Sequence, residues 1–158
     1  MFKIAIVEDN GAAAEKLHGF LTRYATENNE TFDITVFGDA VSFLDNYKSI
    51  YDMVFMDIEL PYIDGMEAAK RLRALDRQVI LIFVTNMARY AVKGYEVDAL
   101  DYLVKPIHYG DFELKLRRAV LRRSGDQEAI LVVRQSGFLR LKLQEIRYIE
   151  VRGHTLIF

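Results

Sequence analysis

The chain has 158 residues, a net charge of −2, 51% hydrophobic residues and no cysteine. That length suits one ordinary domain plus a remainder. The apolar content argues against global disorder, and the absent thiols exclude disulfides and thiolate metal sites. No apolar run approaches the ~18 residues that a membrane span needs. The opening run Phe2-Lys3-Ile4-Ala5-Ile6-Val7 is cut off by Glu8-Asp9 too soon for a signal-peptide core, so a cytoplasmic chain without membrane contact is expected.

In chain order, Lys3–Val7 is the first strand candidate, nearly continuous in apolar residues. Ala12–Ala25 follows with Ala13, Leu17, Phe20, Leu21 and Tyr24 at helical spacing. Ile34–Phe37 is a second strand and Ala40–Tyr47 a second helix. Met53–Met56 is a third strand, and Gly65–Leu75 a third helix behind the N-cap candidate Asp64. Val79–Val84, the short helical pattern Ala88–Gly94, the strand Asp101–Val104 and the helix Tyr109–Arg123, apolar at Phe112, Leu114, Leu116, Ala119, Val120 and Leu121, complete the series. Strand–helix alternation repeated five times predicts an α/β domain around a parallel sheet covered on both faces. In such sheets ligands bind outside the carboxyl ends of the strands.

Those ends carry the reactive side chains. The first strand runs into Glu8-Asp9, the third into Asp57, the fourth into Thr85 and the fifth into Lys105-Pro106. As parallel neighbours, these ends bring three carboxylates, a hydroxyl and an ammonium to one edge. Crowded carboxylates repel one another unless a cation offsets them. An oxygen-only set suits a hard divalent ion, above all Mg²⁺, which keeps waters and accepts phosphate oxygens. The set therefore predicts phosphoryl transfer, with Asp57 as the best nucleophile. Each residue alone has a plainer role: Asp9 or Asn10 as a helix cap, Thr85 as a strand end, Lys105 as a solvated lysine, Pro106 as a helix start or a cis bond. Only the joint occurrence points to chemistry. His18, His108 and His154 show no metal spacing.

With Val7-Glu8-Asp9, Met56-Asp57-Ile58-Glu59-Leu60-Pro61 with Asp64-Gly65, Phe83-Val84-Thr85 and Asp101-Tyr102-Leu103-Val104-Lys105-Pro106, residues 1–123 resemble the response-regulator receiver domains of two-component signalling. The resemblance implies a doubly wound, flavodoxin/CheY-like fold with a five-stranded parallel sheet of order 2-1-3-4-5. It implies that Asp57 is the phosphoacceptor and a Mg²⁺ ligand, with Asp9, the backbone carbonyl of Glu59 and, through water, Glu8. Lys105 and the Thr85 hydroxyl would hold phosphate oxygens, and the bond before Pro106 would be cis. Thr85 and Tyr102 would switch the face formed by the Ala88–Gly94 helix, the Asp101–Val104 strand and the Tyr109–Arg123 helix. Tyr90, Tyr95 and Val97 are candidates either for that face or for the core packing of a short helix, and a homodimer through the face is also expected. The phosphodonor would be a sensor histidine kinase, and the chain would be a self-dephosphorylating switch rather than a turnover enzyme. One departure stands out: Asn86 follows Thr85, where the family usually has a small residue, and this bears on the phosphoryl lifetime.

Residues 124–128 are polar and form a linker candidate. Beyond them the period changes to two, with leucines 139, 141 and 143 alternating with Arg140 and Lys142. Ile130–Val133, Ile146–Val151 and Thr155–Phe158 are further strand candidates, with turns expected at Ser136-Gly137 and Arg152-Gly153. Residues 129–158 hold five basic and two acidic residues, against sixteen and nineteen in residues 1–123. Such asymmetry fits either a second module tolerant of polyanions or chance in a short segment. This tail and the Gly94–Pro106 stretch resemble LytTR-type regulators, which bind DNA through loops of an all-β domain. On that resemblance 129–158 is the beginning of a truncated DNA-binding domain, Arg152 and His154 are candidate DNA contacts, and DNA binding by this chain alone is expected to be weak or absent. A stand-alone receiver acting by protein contact is the main alternative. Haloacid-dehalogenase-like phosphatases and Toprim-like nucleotidyl-transfer domains need an aspartate two residues after the first, where this chain has Glu59.

Overall fold

The computed structural model describes residues 1–45, 47–86 and 96–123 in full and, beyond them, the backbone of 129–134, 137–142, 150–152 and 155–157. The predicted Ala88–Gly94 helix, Tyr90, Tyr95, the 124–128 linker, Ser136, most of the Ile146–Val151 strand, Gly153 and His154 lie outside the described residues. The chain divides into two compact units, Met1–Ala119 and Val120–Phe158.

In chain order the first unit runs β1 (Phe2–Val7), α1 (Gly11–Asn28), β2 (Phe32–Phe37), α2 (Ala40–Asp45), β3 (Met53–Met56), α3 (Gly65–Leu75), β4 (Ile80–Thr85), β5 (Asp101–Val104) and α4, which begins at Tyr109 and extends to Arg123. The strands form one sheet of order β2-β1-β3-β4-β5, parallel at every pairing. The doubly wound order expected from the sequence is the one observed.

Apolar runs become inner strands because both faces of the sheet are covered. All residues of β3 and β4 are buried. On one face Ala5, Val7, Val54, Met56, Leu81 and Phe83 join Phe43 of α2 and Ala68, Ala69 and Leu72 of α3 in one core. On the other, the Phe55 ring lies 5.9 Å from Phe112 of α4, which meets Phe20 of α1 at 5.5 Å. Each large side chain so buried contributes about 1.5–3 kcal/mol.

Several expectations need correction. Strand β2 begins at Phe32, earlier than predicted, because it is an edge strand whose exposed Asp33 interrupts the apolar run. Helix α1 continues to Asn28 and stops where Asn29 turns left-handed at φ 54°. Its last turns escape a periodicity search because Thr22 and Thr26 satisfy their hydroxyls on the carbonyls of His18 and Thr22, without apolar contacts. Of the two readings open for Val97, switch face or core, the core is the one observed: it is 2% exposed. Conversely, Leu114 and Leu121 lie on the solvent side of α4, at 60% and 36% exposure.

The second unit contains β6 (Ala129–Arg134) paired antiparallel with β7 (Gly137–Lys142), and β8 (Glu150–Arg152) paired antiparallel with β9 (Thr155–Ile157). No helix among the described residues is long and apolar enough to cross a membrane.

Candidate functional site

The sheet order makes the carboxyl ends of β1, β3, β4 and β5 consecutive neighbours, and backbone bonds extend the pairing past each strand. The Glu8 N–H donates to Phe37, the Asp57 N–H to Val7 and the Lys105 N–H to Thr85, each at 2.9 Å. Glu8, Asp57, Thr85 and Lys105 are thereby fixed by the sheet itself. Asp9 is free to join them because Asn10 is the N-cap of α1, its side chain accepting from the Ala13 N–H at 3.0 Å.

Glu8, Asp57 and Thr85 are 5%, 3% and 0% exposed, the buried polar residues of this otherwise apolar domain among those described. Lys105 Nζ donates to Glu8 Oε2 and to Asp57 Oδ2, each at 2.6 Å. Asp57 Oδ1 accepts from the Glu59 N–H at 3.0 Å, and Glu8 Oε1 from the Asn10 N–H at 3.2 Å. Burial pushes the Glu8 carboxyl above its usual range, against the pull of Lys105. Burial alone would depress Lys105, yet its bonds to Asp57 and Glu8 and their charges outweigh it and hold the ammonium above its usual value. The Lys105–Pro106 peptide bond is cis. One carboxylate oxygen each from Glu8, Asp9 and Asp57 lie within 4.8 Å of one another. Three carboxylates against one ammonium leave an excess of negative charge, and the oxygen-only donor set fits a hard divalent cation such as Mg²⁺.

Tyr102 lies on β5 opposite Phe83 of β4, their rings 6.1 Å apart. It is half-buried and stands back from the carboxylate cluster. Of the candidate DNA contacts, Arg152 ends β8.

Two features of the site were not legible as such. The first is Gly65. A Cβ there would lie 2.0 Å from the Asp57 carbonyl oxygen and 2.8 Å from Ile58 Cα. Its N–H also donates to Ile58 at 2.9 Å, so α3 starts directly against the backbone that carries Asp57. The Asp64-Gly65 pair was the signal, since a glycine just inside a capped helix marks a close approach. The second is a side-chain bond from Asn86 Nδ2 to Glu59 Oε2, at 3.2 Å.

The response regulator receiver domain family matches residues 4–117. The chain is 31% identical over 162 aligned positions to the transcriptional regulatory protein BtsR of Escherichia coli, covering 100% of this chain but 61% of that protein. It is 34% identical over 107 positions to the sensory transduction protein LytT of Bacillus subtilis, covering 67% of this chain and 43% of LytT. Among solved structures, the response regulatory domain of mrkE from Klebsiella pneumoniae superposes with a TM-score of 0.67 at 25% identity, over 77% of this chain and 98% of that one. The receiver domain of sensor histidine kinase PA1611 from Pseudomonas aeruginosa, with a magnesium ion coordinated in its active-site cleft, gives 0.59 at 27% identity over 78% and 98%. Fold, strand-end cluster and family match agree: this chain belongs to the response regulator receiver domain family of two-component systems.

Proposed function

We propose that the chain is a phosphorylation switch, with Asp57 as phosphoacceptor and a sensor histidine kinase as donor. The observation that carries this is a carboxylate buried to 3% exposure, held 2.6 Å from Lys105 Nζ beside two further carboxylates. A buried acidic cluster of this kind costs stability and is retained where chemistry needs it. Asp9, Asp57 and the Glu59 carbonyl would hold Mg²⁺, with Glu8 reaching it through water. When bound, the ion offsets the negative charge that the carboxylates and an incoming phosphoryl group bring together. The magnesium ion in the PA1611 receiver cleft supports this reading.

The residues then divide the work. An Asp57 carboxylate oxygen attacks phosphorus, and the donor leaves. Lys105, already hydrogen-bonded to that carboxylate, follows the charge onto a phosphoryl oxygen. The Thr85 hydroxyl donates to another, and the space it vacates lets Tyr102 turn inward. Phosphorylation adds roughly two negative charges, enough to bias a two-state element. The group is lost by hydrolysis on the same chain, so the protein acts as a timed switch and not as a turnover enzyme.

The output is a transcription response of LytTR type, in the cytoplasm. Support comes from BtsR being named a transcriptional regulatory protein and from the antiparallel strands β6 to β9. In this reading residues 1–123 are the receiver, 124–128 a linker and 129–158 the opening of an all-β DNA-binding domain with Arg152 and His154 near DNA. The chain spans 61% of BtsR, and DNA binding by these residues alone is expected to be weak or absent. Val104 and Leu114, exposed at 44% and 60% on β5 and α4, favour a homodimer through that face.

Incubation with acetyl phosphate and Mg²⁺, read by intact mass, tests the central step. One phosphoryl group is expected on the wild-type chain and none on Asp57→Ala. Equal labelling of both would exclude Asp57.

A further inference from the structure

The parallel sheet has two edges, β2 and β5, and they are finished differently. At β5 the outward backbone groups of Tyr102 are both occupied. Its N–H donates to Asp101 Oδ1 at 2.9 Å, and its carbonyl accepts from Lys115 Nζ of α4. Charged side chains over an edge discourage further strand pairing. At β2 the odd-numbered residues bond to β1, since the Phe2 and Glu8 N–H groups donate to the carbonyls of Thr31 and Phe37. The N–H and C=O groups of Phe32, Ile34 and Val36 therefore point away from β1, and no side chain among the described residues bonds to them. The side chains of these three residues turn to the α1 face, where Phe32 stacks on Tyr24 at 6.0 Å. Val36 is 47% exposed there. It borders an open groove of about 380 Å³ with Gly11, Ala14, Glu15, His18 and Gly19 of α1. A Cβ on Gly11 or Gly19 would meet nothing within 4 Å, so the groove has room for a side chain from outside.

We propose that a second copy of this chain covers the β2 edge, its own β2 lying antiparallel to the first about a twofold axis at Ile34. In that register the open groups answer one another. Ile34 meets Ile34 of the second copy, and Phe32 meets its Val36, each pair exchanging two N–H···O bonds. On the α1 face, Phe32 of the second copy comes beside Val36 at the mouth of the groove. On the other face Asp33 and Thr35, both exposed, lie opposite each other, a carboxylate against a hydroxyl donor. An axis at Asp33 would set two carboxylates face to face, which opposes pairing. An axis at Thr35 would leave Phe32 opposite no residue of the strand. Ile34 is the position that uses all three open residues and opposes no like charges. Strand addition of this kind draws affinity from main-chain bonds and specificity from the alternate side chains. The contact is isologous and closes on itself, giving one sheet of ten strands, five from each copy. It lies at the opposite edge of the sheet from the β5–α4 face and needs no phosphoryl group on Asp57.

The chain has no cysteine, so introduced thiols report the register directly. Full-length Asp33→Cys and Thr35→Cys chains are mixed without phosphodonor and oxidised mildly. Residues opposite each other in such a pair stand about 4.5 Å apart at Cα, within disulfide reach. Mixed disulfides joining the two variants are therefore expected to outnumber both homodisulfides. Sedimentation of the full chain over a concentration series reads the affinity. Thr35→Lys sets a cation opposite Asp33 of the second copy and is expected to tighten association. Thr35→Asp sets a carboxylate there and is expected to weaken it, each by about two- to thirtyfold over the two equivalent pairs. Because the two variants act in opposite directions at one exposed position, a general loss of folding cannot imitate the result. A chain that stays monomeric up to about 1 mM, association that neither Thr35 variant moves, or homodisulfides as abundant as the mixed one would each overturn the proposal.

Discussion

The two ends of the parallel sheet are both rich in polar groups, yet they are built on opposite plans. At the carboxyl ends, three carboxylates share one ammonium, and the local charge is unbalanced. At the amino ends of β4 and β5, the Arg73 guanidinium donates to the carbonyls of Val97, Asp98, Asp76 and Val79 at 2.7 to 3.2 Å. Asp76 there accepts from the N–H groups of Gln78 and Val79 and from the Tyr47 hydroxyl. Donors and acceptors match at this end, which closes α3 onto the sheet and onto the turn before β5. A balanced polar network stabilises, whereas an unbalanced one waits for a ligand. The difference marks which end holds the chain together and which end acts.

That comparison can be broken at four places. Gly65→Ala is expected to have the largest effect, because a methyl group 2.0 Å from the Asp57 carbonyl forces backbone apart at the acting end. A loss of roughly 3 kcal/mol or more in urea unfolding is expected, and a near-neutral result would mean that the approach of α3 to Asp57 is not fixed. Arg73→Ala comes next, leaving the carbonyls of buried Val97 and Val79 without this donor. It should cost about 2 kcal/mol and accelerate amide exchange at the turn before β5, without altering phosphate uptake.

Asp76→Asn should act mainly on acid stability. Burial would raise the Asp76 carboxyl, but the Gln78 and Val79 N–H groups, Tyr47 and Arg73 together hold it below its usual value. A carboxyl that is more acidic in the folded chain contributes stability above its unfolded pKa and loses it as pH falls through the folded one. The wild-type chain should therefore weaken in that acid window, and Asp76→Asn should show a shallower decline there. Identical pH profiles would exclude a stabilising role for the charge. The smallest effect is expected for Asp9→Asn. Removing one of the clustered charges should stabilise the metal-free chain by less than about 1 kcal/mol, while abolishing the rise in melting temperature that the proposed Mg²⁺ site predicts for the wild type. Destabilisation in the absence of metal would contradict the charge imbalance on which the comparison rests.

How much of this was legible in the sequence depends on the reach of each interaction. The inner strands announce themselves because burial on both faces leaves almost no polar residue in Val54–Met56 or Leu81–Val84. The strand-end cluster is legible for a related reason: a carboxylate directly after such a run has little room to be anything but a site or a cap. Sequence alone could not choose between Asp9 and Asn10 as the cap; the bond from the Ala13 N–H to Asn10 settles it. Other features depend on partners distant in the chain. Arg73 gives no sign of its role until the turn at Val97 is placed against it, and the same contact decides between the two readings open for Val97. The Asn86 departure was visible, but its bond to Glu59 follows only from the β3–β4 register. Leu114 and Leu121 fit a helical apolar pattern, and only packing shows that Phe112 and Leu116 take the core side instead.

Lys105 gives the unbalanced end a mechanical character as well as a chemical one. Its backbone leaves the outermost strand, β5, while its ammonium grips Asp57 just past β3 and Glu8 just past β1. It thus works as a guy-rope drawn across β4, pegged at two anchors and tied to the rim of the sheet. In the proposed switch, a new anion on Asp57 would re-peg that rope, transmitting the event to the border strand as a pull along one side chain. The outer face of the domain would then sense chemistry at its centre without any rearrangement of the buried strands between them.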